Sequence, residues 1–148
     1  MFREITITPP GRPRANSNGF SATGGGWLTN RAALLSQYDL ELIGMDVTGF
    51  PEINANAASR HLLMMHYPAM ANHLAPRRYD LILAGHSHGG QVRVPFVGPI
   101  ILPSGVRPYD YGRYQTPAGP MQVSTGIGTL AAFPVRINCP PEVTLVTL

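Results

Sequence analysis

The stretch Ala84-Gly85-His86-Ser87-His88-Gly89-Gly90 (AGHSHGG, residues 84–90) follows directly on Arg78-Tyr79-Asp80-Leu81-Ile82-Leu83, an apolar run that predicts a strand. Gly85 to Gly89 fits G-x-S-x-G, the pattern that presents a nucleophilic serine at a sharp strand-to-helix turn. The same residues set two histidines at i and i+2, which suits coordination of a metal from a tight loop. Which chemistry applies decides the fold, because each needs different elements around the loop.

The serine reading requires a helix after the loop and an acid and a base further along the chain. Gln91 to Pro99 (QVRVPFVGP) instead alternates β-branched residues with two prolines, and this does not continue as a helix. His88 is the last histidine, so no base follows Ser87. A serine esterase acting through Ser87 therefore stands as the second alternative, requiring His61, His66 or His73 from upstream in a rearranged fold.

The metal reading gathers more support outward from the loop. His66 also ends an apolar run, His61-Leu62-Leu63-Met64-Met65, and precedes Tyr67-Pro68. Adjacent strands ending in His66 and in His86-x-His88 would bring three imidazoles to one sheet edge, where glycines let the backbone bend. Three neutral nitrogens suit Zn, Mn or Fe. His61 and His73 are read as ordinary satisfied or surface residues.

Further elements alternate around this centre. Trp27 to Ser36 and Asn54 to Arg60 are read as short helices, and Pro68 to Leu74 as a helix with proline in its first turn. Tyr38 to Met45 is a strand, and Gln91–Val94, Met121–Thr125, Pro134–Asn138 and Glu142–Leu148 are strand candidates. The class is α/β, or α+β. Residues 1–26, rich in Pro, Gly and Asn, form an irregular arm, and 27–148 form the domain.

Composition excludes several classes. Hydrophobic residues make up 44% of the 148-residue chain and charged ones 13%, which predicts a folded core rather than a disordered segment. All eleven basic residues are arginines, giving a net charge of +3, but they are scattered, without the basic runs of a nucleic-acid binder. The longest apolar stretch, Val94 to Leu102, holds Pro95 and Pro99 and is too short to span a bilayer. With no hydrophobic leader at the start, a cytoplasmic location is expected. Cys139 is alone and is read as a buried thiol.

From Leu81 onward the chain resembles the calcineurin-like metallophosphoesterases, in particular their bacterial phosphodiesterase branch. The residues that carry the likeness are AGHSHGGQVRVP (84–95), GPIILPSG (98–105), Tyr109-Asp110-Tyr111-Gly112, Val123 to Gly128 and INCPPEVTLVTL (137–148), with LLMMHYP (62–68) and ELIGMD (41–46) upstream. The resemblance implies a four-layer αββα sandwich in which one or two divalent metals meet a phosphate ester and a metal-bound hydroxide attacks phosphorus. It assigns His66 and His86 to one metal and His88 to the other. Arg93, from its position, is a candidate phosphate contact.

The family's Asp-x-His, its bridging Asp and its Asn-His pair have no counterpart here. Asp46 and Asp80, the acids nearest the right strands, are read as turn and strand-edge residues. The resemblance thus implies a shortened version of the sandwich, mainly its C-terminal sheet, with a mononuclear or weak site. One bare sheet face would then favour a homodimer. The first expectation is a metal-dependent phosphoesterase, and the alternative is a metal-binding, dimerising module without turnover.

Overall fold

The computed structural model describes residues 26–49, 58–76 and 78–147. Its frame is a six-stranded mixed sheet formed by β1 (Arg31–Leu35), β2 (Leu40–Met45), β3 (Arg60–Met65), β4 (Leu81–Ala84), β7 (Gly112–Thr116) and β8 (Gly119–Val123), in the spatial order β1-β2-β3-β4-β8-β7. A two-residue ribbon, β5 (Arg93–Val94) with β6 (Gly98–Pro99), lies between β4 and β7 in the chain. The expected α/β class agrees with this mixed sheet, although the described helical segments are short 3-10 turns.

Strands β2, β3, β4 and β8 are parallel, and the edge strands β1 and β7 run antiparallel to their neighbours. Parallel strands in the centre of a sheet need apolar side chains on both faces. The sequences LELIGM, HLLMM and LILA meet that demand. In register, Ile43, Leu63, Ile82 and Met121 form a row across four strands, each 0 or 1% exposed. The 3-10 turn Pro68–His73 packs over this face through Ala71, followed by Leu74, Tyr79, Tyr109 and Ala118. The opposite face carries Leu35, Leu40 and Leu62, all buried. Leu42, Met64, Leu81 and Leu83 pack against them and are partly buried. The large exposed apolar side chains lie mainly on loops, among them Phe96, Val97, Ile101, Ile127, Val143 and Leu145.

Several elements differ from the sequence expectations. Arg31–Leu35, read as part of a helix, is an edge strand whose alternate residues Ala33 and Leu35 are buried. Five residues are too few for a helical period to declare itself, and pairing with β2 decides the conformation. The segment 68–74 takes the tighter 3-10 form. The helix expected over 54–60 lies largely outside the described residues, and Arg60 already belongs to β3. The irregular arm expected over 1–26 is outside them too, apart from residue 26.

The strand expected over 134–138 reduces to a single bridge between Val92 and Ile137. Residues 142–147 form no strand, since a β-branched sequence supplies propensity and not a pairing edge. Strand β7 has no counterpart among the sequence expectations. Its signal is the Pro117-Ala118 turn, closed by reciprocal hydrogen bonds between Thr116 Oγ1 and the backbone of Gly119.

Because β2, β3, β4 and β8 are parallel, their C-terminal ends share one edge. The loops leaving that edge carry Asp46, His66, the 86–91 turn and Ser124-Thr125. Open sheets of this kind place their ligands at that edge.

Candidate metal centre

Met65 and Ala84 are partners in the β3–β4 register, so the residues after them emerge side by side. The Gly85 N–H donates to the His66 carbonyl at 3.4 Å, and the His66 and His86 rings lie 4.4 Å apart, centroid to centroid. Tyr67 stands edge-on to His86, also at 4.4 Å.

The turn that presents His86 and His88 has an unusual backbone. His86, His88, Gly89, Gly90 and Gln91 all have positive φ, and only Ser87 among residues 86–91 does not. Left-handed conformations at non-glycine residues cost of order 1–3 kcal/mol each and persist where the surroundings fix them. Here Ser87 is fully buried, and its Oγ accepts the Gly89 N–H at 3.0 Å. That commitment corrects the esterase alternative, because a nucleophilic serine needs an accessible hydroxyl beside a base. At Gly89, an added Cβ would come within 2.6 Å of Cys139 Sγ and 2.8 Å of Thr125 Cγ2. Gly89→Ala is therefore expected to lower stability by at least about 2 kcal/mol in urea unfolding, from backbone strain and crowding together. Gly85→Ala is the control, since nothing lies within 4 Å of the place its Cβ would take.

Hydrogen bonds assign the ring protons. His86 Nε2 lies 3.1 Å from the Ser104 carbonyl, and His88 Nδ1 lies 3.3 Å from the Gly128 carbonyl. A carbonyl only accepts, so those nitrogens carry the hydrogens, and the lone pairs fall on His86 Nδ1 and His88 Nε2. Burial, followed by His66, pushes the His86 imidazole below its ordinary pKa; the Ser104 carbonyl opposes this and His88 adds to it. A neutral imidazole whose other nitrogen donates to a carbonyl is the form in which histidine binds metals.

The donor chemistry thus fits a divalent metal, but the set is incomplete: among the described residues no group of three or more His, Cys, Asp or Glu is arranged to hold a metal ion. Asp46 keeps to the turn role expected of it. Its Oδ1 accepts the Val47 N–H at 2.7 Å and its Oδ2 the Thr48 hydroxyl at 3.2 Å. It nevertheless lines, with His66, a cavity of about 450 Å³ whose other walls include Trp27, Leu28, Met45 and Met64.

Asp80 and His61 lie at the other end of the sheet. The Asp80 carboxylate accepts the His61 N–H at 2.7 Å, and His61 Nε2 is 3.4 Å from Glu41 Oε2 without hydrogen-bond geometry. Burial raises the Glu41 pKa, partly offset by His61. His73 is exposed at the end of its 3-10 turn. Neither His61 nor His73 joins the three histidines of the strand ends.

Arg93, the candidate phosphate contact, is engaged by groups of the chain itself. Its Nη1 donates to Asp110 Oδ2 at 2.7 Å and to the Gly89 carbonyl at 2.9 Å, and its guanidinium lies 4.4 Å from the Tyr111 ring centroid. Burial alone would raise the Asp110 pKa, yet the Tyr114 hydroxyl and Arg93 hold it below the usual carboxylate value. These contacts tie the histidine turn to the start of β7. Arg136, which the sequence does not single out, donates to the His88 carbonyl of the same turn, and Cys139 is buried beside it as expected.

Three curated proteins are similar to parts of the chain. The uncharacterized metallophosphoesterase YkuE of Bacillus subtilis (strain 168) is 39% identical over 87 residues, which is 59% of this chain and 30% of that protein. Phosphodiesterase YaeI of Escherichia coli (strain K12) is 36% identical over 87 residues, 59% of this chain and 32% of its own length. An uncharacterized metallophosphoesterase of Aquifex aeolicus (strain VF5) is 33% identical over 101 residues, 64% of this chain and 35% of its own. The resemblance to metallophosphoesterases read from the sequence is therefore shown, over part of the chain. The chain spans about a third of the length of these relatives. No family profile matches it, and no solved structure does.

Proposed function

We propose that this chain carries the imidazole part of a metallophosphoesterase site and that the chemistry it serves is hydrolysis of phosphate esters. The observation that carries the reading is the meeting of His66 and His86 at the shared strand edge, with His88 two residues on and the tautomers of His86 and His88 set by carbonyls. Its support is the similarity to proteins named metallophosphoesterase or phosphodiesterase. In this reading the six-stranded sheet is one of the two sheets of the family's four-layer sandwich.

A divalent ion such as Zn, Mn or Fe, when bound, supplies Lewis-acid polarisation of a phosphate oxygen. The chain's own residues hold and orient. His86 would bind through Nδ1 and His88 through Nε2, each kept in its tautomer by the Ser104 or Gly128 carbonyl, with His66 beside them. The cavity next to His66 would take the organic part of the ester, because Trp27, Leu28, Met45 and Met64 offer it an apolar wall. Arg93, which donates to the Gly89 carbonyl, would help to hold the 86–91 turn that carries the two imidazoles.

The direct test is hydrolysis of bis(4-nitrophenyl) phosphate by the purified chain before and after treatment with a chelator. The expected result is at least a tenfold loss of rate, restored by adding Mn or Zn. A rate indifferent to chelator contradicts the reading. A second reading, metal binding without turnover, is favoured by the incomplete donor set among the described residues. It predicts stoichiometric metal with no hydrolysis in the same assay.

A further inference from the structure

Arg136 lies in Phe133-Pro134-Val135-Arg136-Ile137, a stretch with little regular structure. Its guanidinium is partly buried, yet the structure gives it no carboxylate partner among the described residues. It is surrounded by carbonyls instead. Nη1 donates to the carbonyls of His88 and Cys139, both at 3.3 Å, with Cys139 Sγ at 3.6 Å. Nη2 donates to the carbonyls of Thr125 at 2.8 Å, Gly126 at 3.1 Å and Gly128 at 2.5 Å. Nε is buried without a partner among the described residues.

Five carbonyls from three separate segments thus converge on one planar cation. Two of them bear on a single side chain. One is the carbonyl of His88 itself, which also accepts from Cys139 Sγ at 3.3 Å. The other is the Gly128 carbonyl, which takes the proton of His88 Nδ1. Gly128 lies in an exposed loop outside any strand, so without the guanidinium little would hold its carbonyl at the imidazole. Arginine suits the task because it stays charged and offers several donors in a fixed plane, whereas lysine offers a single nitrogen.

We propose that Arg136 is the positioning residue for His88: by holding the His88 and Gly128 carbonyls together it sets the ring's tautomer and aims Nε2 at the strand edge. This rests on the reading of His88 as a ligand, but the two can fail separately. Two readouts are needed on wild type, Arg136→Ala and Arg136→Lys. The first is the ring nitrogen shifts of His88 by NMR with the ring neutral. The second is Mn(II) affinity by calorimetry.

Wild type is expected to show the Nδ1–H tautomer of His88, and both variants a shift toward Nε2–H. Mn(II) affinity is expected to fall about 10–100-fold in both variants, the range for loss of an outer partner of a metal-binding histidine. Millimolar guanidinium is expected to restore part of both signals in Arg136→Ala. If Arg136→Ala does not fold, Arg136→Lys and the wild-type spectrum carry the test. A wild-type His88 that is Nε2–H, or a folded variant in which it remains Nδ1–H, overturns the proposal. If His88→Ala leaves Mn(II) affinity unchanged, the metal reading fails, while the tautomer readout still decides the role of Arg136.

Discussion

Replacing His86 and His88 together by alanine is expected to abolish measurable binding of Mn(II) or Zn(II), a larger effect than any single change around the site. Loss of an outer partner of a ligand lowers metal affinity about 10–100-fold, and loss of two donor nitrogens exceeds that. The pair sits on one strained turn that the rest of the fold holds in place. The deletion removes side chains that are only partly buried, so the fold is expected to survive. His73→Ala is the matched control, because His73 is exposed on a different segment. Equilibrium dialysis distinguishes the two, and a double variant that binds metal as wild type does would refute the ligand assignment.

The second large effect concerns the frame. Leu63 is fully buried in the centre of β3, with Ile43 and Ile82, also fully buried, as its partners on either side. Leu63→Ala is expected to cost about 2–5 kcal/mol, since neighbours fixed in two flanking strands cannot close the cavity. Against a total stability of about 5–15 kcal/mol this is a major loss. It corresponds to a fall in melting temperature on the order of 10 °C. Leu34→Ala, at a side chain 48% exposed on the edge strand, is expected to change little. Thermal unfolding followed by circular dichroism separates them, and equal melting temperatures would show that the Ile43–Leu63–Ile82 row is not the core.

What the sequence made legible follows from the range of the interactions involved. The apolar runs LELIGM, HLLMM and LILA announce central strands because burial on both faces leaves a mark on every residue. His66 and the His86-x-His88 pair are legible for the same reason, since each follows such a run and its placement needs only the strand end. The elements misread are those settled by whether a pairing edge is offered rather than by their own residues. RAALL is a strand because β2 offers it an edge, and residues 142–147 form none although their composition favours one.

The same limit governs the site. Ser87 reads in the sequence as a candidate nucleophile and is a buried acceptor for the Gly89 N–H, a local contact that the Ser-x-Gly order allows. Arg93 reads in the sequence as a candidate phosphate contact and Arg136 is not singled out there, because the contacts of each are with groups elsewhere: Arg93 with Asp110 and Tyr111, Arg136 with five carbonyls on three segments.

In the proposed metal centre His66, His86 and His88 supply the nitrogen ligands. Pulsed electron paramagnetic resonance of the chain loaded with Mn(II) tests it most directly, because bound imidazole nitrogens modulate the echo. Nitrogen modulation is expected in the wild-type chain, weakened in His66→Ala and absent in the His86→Ala/His88→Ala double variant. Mn(II) bound with only water protons in its spectrum, or with nitrogen modulation unchanged in the double variant, would contradict the claim.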